Sequence, residues 1–242
     1  LLGYFLLLKK SIGDILGDEF FPGLIIAFIS VIMVFAGILN IMYYAAWAVL
    51  FVGLVYFAGS IIKHPKNIKG IISLTIFFVL LFAVVLTRMY HGALATHYDD
   101  FSHWLTVIKS MVLSDSLPSF KTNMVTFSAY PTGVASFIYY IMRFLVFRES
   151  IALILQGLMI LCFILPLFSF VNRKSIISWV VIISAFIAIV SCFYVWGTLL
   201  VDDMLAAVGI YLVALVWKFV KTKSKDYWII AILSVFTVLI KN

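Results

Sequence analysis

The chain has 242 residues, of which 65% are hydrophobic and 11% charged, with a mean hydropathy of +1.21. Soluble domains carry about 25% charged residues, so this composition excludes an ordinary soluble fold. The formal charge of +7 comes from basic residues spread over short loops, an orientation pattern of membrane proteins and not a nucleic-acid footprint.

Apolar runs of roughly 17–25 residues recur along the chain, each long enough to cross a bilayer. Without barrel-like alternation such segments must be helices, because only a helix satisfies its own backbone in hydrocarbon. The expected fold is therefore all-α: one polytopic transmembrane helical bundle over residues 1–242. Residues 1–8 read as the tail of a truncated span, and the chain ends at Lys241-Asn242 just after another apolar run, so the sequence reads as a fragment. Spans are predicted at about 22–39, 41–62 and 70–87, the last two separated by the basic loop Lys63-His64-Pro65-Lys66-Asn67-Ile68-Lys69. Residues 88–130 form the longest polar segment. Residues 131–147 are apolar again, and further spans are predicted at about 151–171, 175–196, 204–219 and 228–241. Cys162 and Cys192 fall inside predicted spans and read as small apolar residues, with no disulfide or Cys-based metal site.

Whether 131–147 crosses decides the topology. If it does not cross, Lys9, Lys10, Lys63, Lys66, Lys69, Arg173, Lys174, Lys218, Lys221, Lys223 and Lys225 share the inner face, as the positive-inside rule requires. If it crosses, the cluster from Lys218 to Lys225 faces outward. The segment is also short for a span, and Arg143 interrupts it. It is therefore placed as a juxtamembrane or re-entrant helix in a long first outer loop, about 88–150. Asp99-Asp100 and Asp202-Asp203 then lie on one side of the membrane.

The densest ionisable stretch is His97-Tyr98-Asp99-Asp100-Phe101-Ser102-His103-Trp104, with His91 nearby. Adjacent carboxylates near hydrocarbon are costly unless a cation, a donor or water offsets them. One of them could serve as general base toward a hydroxyl. Alternatively the cluster of His97, Asp99, Asp100 and His103 could hold a divalent cation, with oxygen ligands favouring Mg²⁺ or Mn²⁺ and imidazole favouring Zn²⁺. On a helix, Asp99 and His103 at i, i+4 would share a face. The competing reading is an interfacial helix with Phe101, Trp104, Leu105 and Ile108 toward lipid. For Asp202-Asp203 the competing reading is a helix N-terminus, where carboxylates favour the dipole. Among the outer basic residues Arg88, Lys109, Lys121, Arg143 and Arg148, the arginines Arg88, Arg143 and Arg148 are candidates to hold a lipid-linked phosphate bidentately.

Three motifs resemble the GT-C superfamily of integral-membrane glycosyltransferases, which includes protein O-mannosyltransferases, aminoarabinose transferases and oligosaccharyltransferases. They are the acidic pair in Tyr98-Asp99-Asp100-Phe101-Ser102-His103-Trp104, the helix opening Tyr130-Pro131-Thr132-Gly133, and the run Val201-Asp202-Asp203-Met204-Leu205. The resemblance covers about residues 70–220 and treats 1–69 as extra N-terminal spans. It departs from the family pattern at Thr132, where a second Pro is usual, and at 202–203, where the acids are adjacent. It implies transfer of a sugar from a polyprenyl-phosphate donor to a glycan, lipid or protein acceptor on the outer face of the plasma membrane. Asp99 or Asp100 would be catalytic, and Asp202 and Asp203 would assist by orienting acceptor or donor or by binding a divalent cation, with Asp99, Asp202 and Asp203 as the candidate ligands; His97 and His103 are counted with the assisting groups. No cofactor is required beyond that candidate cation. Membrane lipids are expected partners, and nucleic acid is not. A transporter or flippase is the alternative from another class. Its sites usually lie near the midplane of repeated halves, whereas the ionisable groups here sit at a membrane edge. A non-catalytic scaffold of the same fold is a third reading.

Overall fold

The structure, a computed structural model, describes residues 1–63, 73–118, 125, 127–193 and 196–241. The described residues are helical and contain no strand. Helix α1 (Leu2–Ile12) leads through a short turn (Asp18–Phe20) into α2 (Phe21–Ile38), followed by α3 (Met42–Lys63) and α4 (Leu74–Met89). A π-helical turn (Asp100–Trp104) runs into α5 (Leu105–Ser114), and α6 (Gly133–Met142) follows. Helix α7 (Glu149–Ile164) continues as a 3₁₀ stretch (Leu165–Phe170), and α8 (Ile176–Cys192), α9 (Asp202–Thr222) and α10 (Tyr227–Val238) complete the bundle.

Among the described residues, four helices are long and apolar enough to cross a membrane: Asp18–Ile38, Met42–Lys63, Glu149–Phe170 and Asp202–Thr222. At 1.5 Å per residue each is roughly 32 Å long, close to the ~30 Å hydrocarbon thickness. The runs expected to span at 70–87, 175–196 and 228–241 give shorter helices, of 16, 17 and 12 residues. Residues 70–72 and 194–195 of those stretches, and residues 64–69 of the basic loop, lie outside the described residues. Local signals set several ends. Ser73 and Ser175 cap α4 and α8 by accepting from the N–H groups of Ile76 and Ser178, and Pro22 occupies the first turn of α2, where its missing donor is harmless.

Helix α2 is the hub and packs on α1, α3, α6, α7 and α10. Its first turn meets α9, where the buried Tyr211 hydroxyl donates to the Phe20 carbonyl and the Tyr211 ring packs edge-on to Phe20 and Phe163. A side chain at Gly23 would begin 2.7 Å from the Tyr211 ring, so only glycine permits this approach. At the periphery α8 buries no residue at all, and α3 turns Tyr44, Phe51 and Leu54 outward. Apolar exposure on that scale fits a hydrocarbon environment.

The contacts sort the bundle into two ends. At one, Lys9 pairs with Asp18 at 2.8 Å, the Asp18–Phe20 turn meets Leu165–Phe170, and Phe170 packs on Trp217. Lys63, Arg173, Lys174 and the run Lys218–Lys225 therefore gather there. At the other end lie the end of α4, the start of α7, residues 196–203 and the end of α10. Helix α6 starts at this second end, where Gly133 N–H donates to the Leu239 carbonyl at 2.8 Å. It finishes beside the start of α3, with Arg143 over the Tyr43 ring and Phe144 on Trp47. Ten residues reach only about 15 Å, and both ends of α6 stay at the same end of the bundle.

A Cβ on Gly133 would begin 2.6 Å from the Leu239 carbonyl oxygen. Gly133→Ala should therefore lower stability by about 1–3 kcal/mol, read as a fall in apparent Tm in detergent. An unchanged Tm would show that α6 and α10 can separate freely.

Candidate functional site

Asp100 has no exposed surface. The π turn that carries it, a frequent feature of functional sites, delivers its Oδ1 to the N–H of Leu199 at 2.8 Å, 99 positions along the chain. Its Oδ2 is buried without a hydrogen-bond partner in the structure. Burial raises the Asp100 pKa above the ordinary carboxylate value; the Leu199 N–H and the nearby His97 oppose the shift, while Asp99 and Glu149 add to it.

The Leu199–Leu200 segment is held from two sides. Gln156, buried in α7, donates from Nε2 to the Leu200 carbonyl at 2.8 Å. Nearby, Glu149 at the start of α7 accepts the Ala95 N–H at 3.0 Å, fastening the first loop to the same helix.

Asp99 does not share the buried side. Its side chain is half-exposed, and its N–H donates to His97 Nδ1 at 3.2 Å. A nitrogen accepting that bond carries no proton, so the 3.8 Å contact of Nδ1 with the Asp99 carboxylate is not an ion pair while the bond is made. The expected pairing of Asp99 and His103 on one face is thereby corrected: the π turn closes i→i+5 bonds and shifts the faces, and it is Asp100 and His103 that are buried. His103 packs edge-on against Trp104, Tyr130 and Phe127, with ring centroids 4.5, 5.0 and 5.8 Å away. Neither of its nitrogens has a hydrogen-bond partner. Burial lowers its pKa below 6.5, against a smaller opposing pull from Asp99. His91 is exposed. Tyr130, the first residue of the Tyr130-Pro131-Thr132-Gly133 opening, is stacked on Phe127.

Asp202 and Asp203 form the first turn of α9, where the helix dipole favours them. Asp202 is exposed and pairs with Lys241 at 2.5 Å. Leu199 and Asp202 are only three positions apart, so the Asp100 carboxyl and Asp202 lie within roughly 15 Å by chain reach. Among the described residues, however, no group of three or more His, Cys, Asp or Glu side chains could hold a metal ion. Asp99 faces solvent beside His97, and Asp202 is engaged by Lys241. Asp99, Asp202 and Asp203 are thus not brought together as a donor set for a cation.

Of the basic residues, Arg143 is paired with an acid. Its Nε lies 2.9 Å from Asp115 Oδ1, which also accepts the Tyr139 hydroxyl at 2.7 Å. Arg88 and Arg148 are exposed at the Asp100 end, and Lys109 is exposed on α5. Lys121 lies outside the described residues. The residues that sequence reasoning missed are Gln156 and Glu149. An amide in an otherwise apolar span is a signal that could have found Gln156, because a polar group there needs a partner.

The two buried groups act in opposite pH windows. The folded His103 pKa lies below 6.5, so the unfolded chain takes up this proton first, and stability is lost as pH falls from about 6.5 through the folded value. The folded Asp100 pKa lies above 3.8, so its penalty grows as pH rises from about 3.8 through the folded value. The drop in apparent Tm between about pH 7.5 and 5 should be smaller in His103→Phe than in the parent protein, and an equal drop would assign the acid sensitivity to another group.

Models of known protein families, curated proteins and solved structures give no match to this chain.

Proposed function

We propose that this protein is a multi-pass glycosyltransferase of the GT-C type in the plasma membrane. It transfers a sugar from a polyprenyl-phosphate donor to an acceptor hydroxyl on the outer face, in the synthesis of a cell-surface glycan. The observation that carries this reading is the Asp100 carboxyl: buried, with Oδ1 held by the second loop and Oδ2 left without a partner. It lies at the end of the bundle opposite the Lys218–Lys225 cluster, which the positive-inside rule assigns to the cytoplasm.

In this mechanism the acceptor hydroxyl gives its proton to Asp100 Oδ2 as its oxygen attacks the anomeric carbon. The bond from that carbon to the phosphate oxygen breaks, and the electron pair leaves with the lipid phosphate. A raised carboxyl pKa brings the base closer to the operating pH. Arg88 and Arg148, exposed at the same end, are the guanidinium groups available to the departing phosphate. An apolar cavity of about 370 Å³, lined by residues such as Ile25, Ile76, Phe137 and Leu158, offers room for part of a lipid chain.

The test is replacement of the native copy by Asp100→Asn in the source cell, with mass spectrometry of the surface glycan. Transfer of one sugar should fall by about 10²–10⁴-fold, the range for loss of a general base, at unchanged protein abundance. Asp99→Asn, on the exposed side, should retain most of the activity. A normal glycan in the Asp100→Asn strain would end the assignment.

A further inference from the structure

Gln156 lies in the second turn of α7, 1% exposed, among apolar neighbours. Its Nε2 donates to the Leu200 carbonyl at 2.8 Å, and one residue earlier the Leu199 N–H donates to Asp100 Oδ1 at 2.8 Å. The Leu199 nitrogen and the Leu200 oxygen are joined through a planar peptide and a few soft torsions. A side chain that fixes the oxygen therefore constrains the direction of the N–H. The other amide atom of Gln156, Oε1, is buried with no partner. A residue needed only for packing would not carry that unmet acceptor, since an apolar side chain of similar volume would fill the space without it. The geometry asks for the Nε2 donor.

We infer that Gln156 is a positioning residue for Asp100. From inside α7 it holds the Leu200 carbonyl, sets the Leu199 N–H against Oδ1, and leaves Oδ2 as the carboxyl oxygen without a hydrogen-bond partner. Its catalytic meaning rests on the reading of Asp100 as general base, but the link between the two side chains does not depend on activity. Three other groups act on the Asp100 charge, namely His97, Asp99 and Glu149, and a change at Gln156 leaves all three in place.

The test follows the protonation of Asp100 directly. The intact protein in lipid nanodiscs is treated with dicyclohexylcarbodiimide, which modifies protonated carboxyls, from about pH 5 to 9. Modification at Asp100 is then quantified by peptide mass spectrometry. In Gln156→Met the carboxylate loses its well-aimed N–H donor while staying buried. Its half-labelling pH should therefore rise by about one unit, a tenfold gain in proton affinity. A fall toward the ordinary carboxylate range would mean that Gln156 only keeps water out, and an unchanged profile would mean that it does not act on Asp100. Either result overturns the proposal. Should the methionine variant fail to assemble, Gln156→Asn, one methylene short of the carbonyl, tests the same direction. A flat labelling profile leaves the transferase reading standing, whereas transfer surviving in Asp100→Asn removes that reading and leaves the labelling shift intact.

Discussion

A carboxyl group taken out of water must be hydrogen-bonded, paired or protonated, because the bare charge is far too costly in an apolar surround. At Asp100 one oxygen meets that demand through the Leu199 N–H, and the rest of that end of the bundle is arranged around this bond. The second loop has to reach the first, so residues 196–203 are drawn over the start of α7. Gln156 and Glu149, on that helix, hold the two loops by backbone groups at Leu200 and Ala95. A polar cluster is thus assembled on an apolar scaffold from only three side chains and three backbone groups.

The same end is closed by α6, which is too short to cross and too buried to be a surface helix. It is wedged against α2, α5 and α7, and its two ends are pinned differently. At the start, Gly133 brings its backbone directly onto the Leu239 carbonyl. At the finish, Asp115, in a left-handed conformation after α5, accepts from Tyr139 and pairs with Arg143, which lies over Tyr43. The ion pair is partly shielded and shares its oxygen with a hydroxyl, so it fixes α5 to α6 more firmly than an exposed pair would. Since α5 extends directly from the π turn, this clamp also limits how far Asp100 and His103 can move.

Much of this arrangement was legible in the sequence, and the reasons are physical. Hydropathy located the long helices, because a span must be about 20 apolar residues whatever its neighbours are. The distribution of lysine and arginine set 131–147 apart from the spans, and the structure starts and finishes α6 at one end of the bundle. Local order did not reveal which acid of the first pair turns inward, since that depends on the π turn, and a π turn leaves no periodic signature. The pairing of Arg143 was hidden for a similar reason: its charge is visible in the sequence, but its partner Asp115 lies 28 positions away. Gln156 carries no charge and is inconspicuous beside the acidic pairs, although a buried amide in an apolar span needs a partner as they do.

The two acidic pairs are alike in sequence and unlike in physics. Asp202 stands in water at the head of α9, where a helix dipole and Lys241 both favour its charge. Such an exposed pair contributes about 0–1 kcal/mol and mainly locates the end of α10 against α9. Asp99 is likewise half-exposed and turned to His97. Only Asp100 is held away from water with a coordination shell that is half complete. A carboxylate so placed gains basicity from burial and keeps its orientation from the Leu199 bond. These are the two properties that a general base requires and that an exposed carboxylate lacks. The chemistry proposed for this end of the molecule therefore falls to one of four similar aspartates, selected by its surroundings and not by its motif.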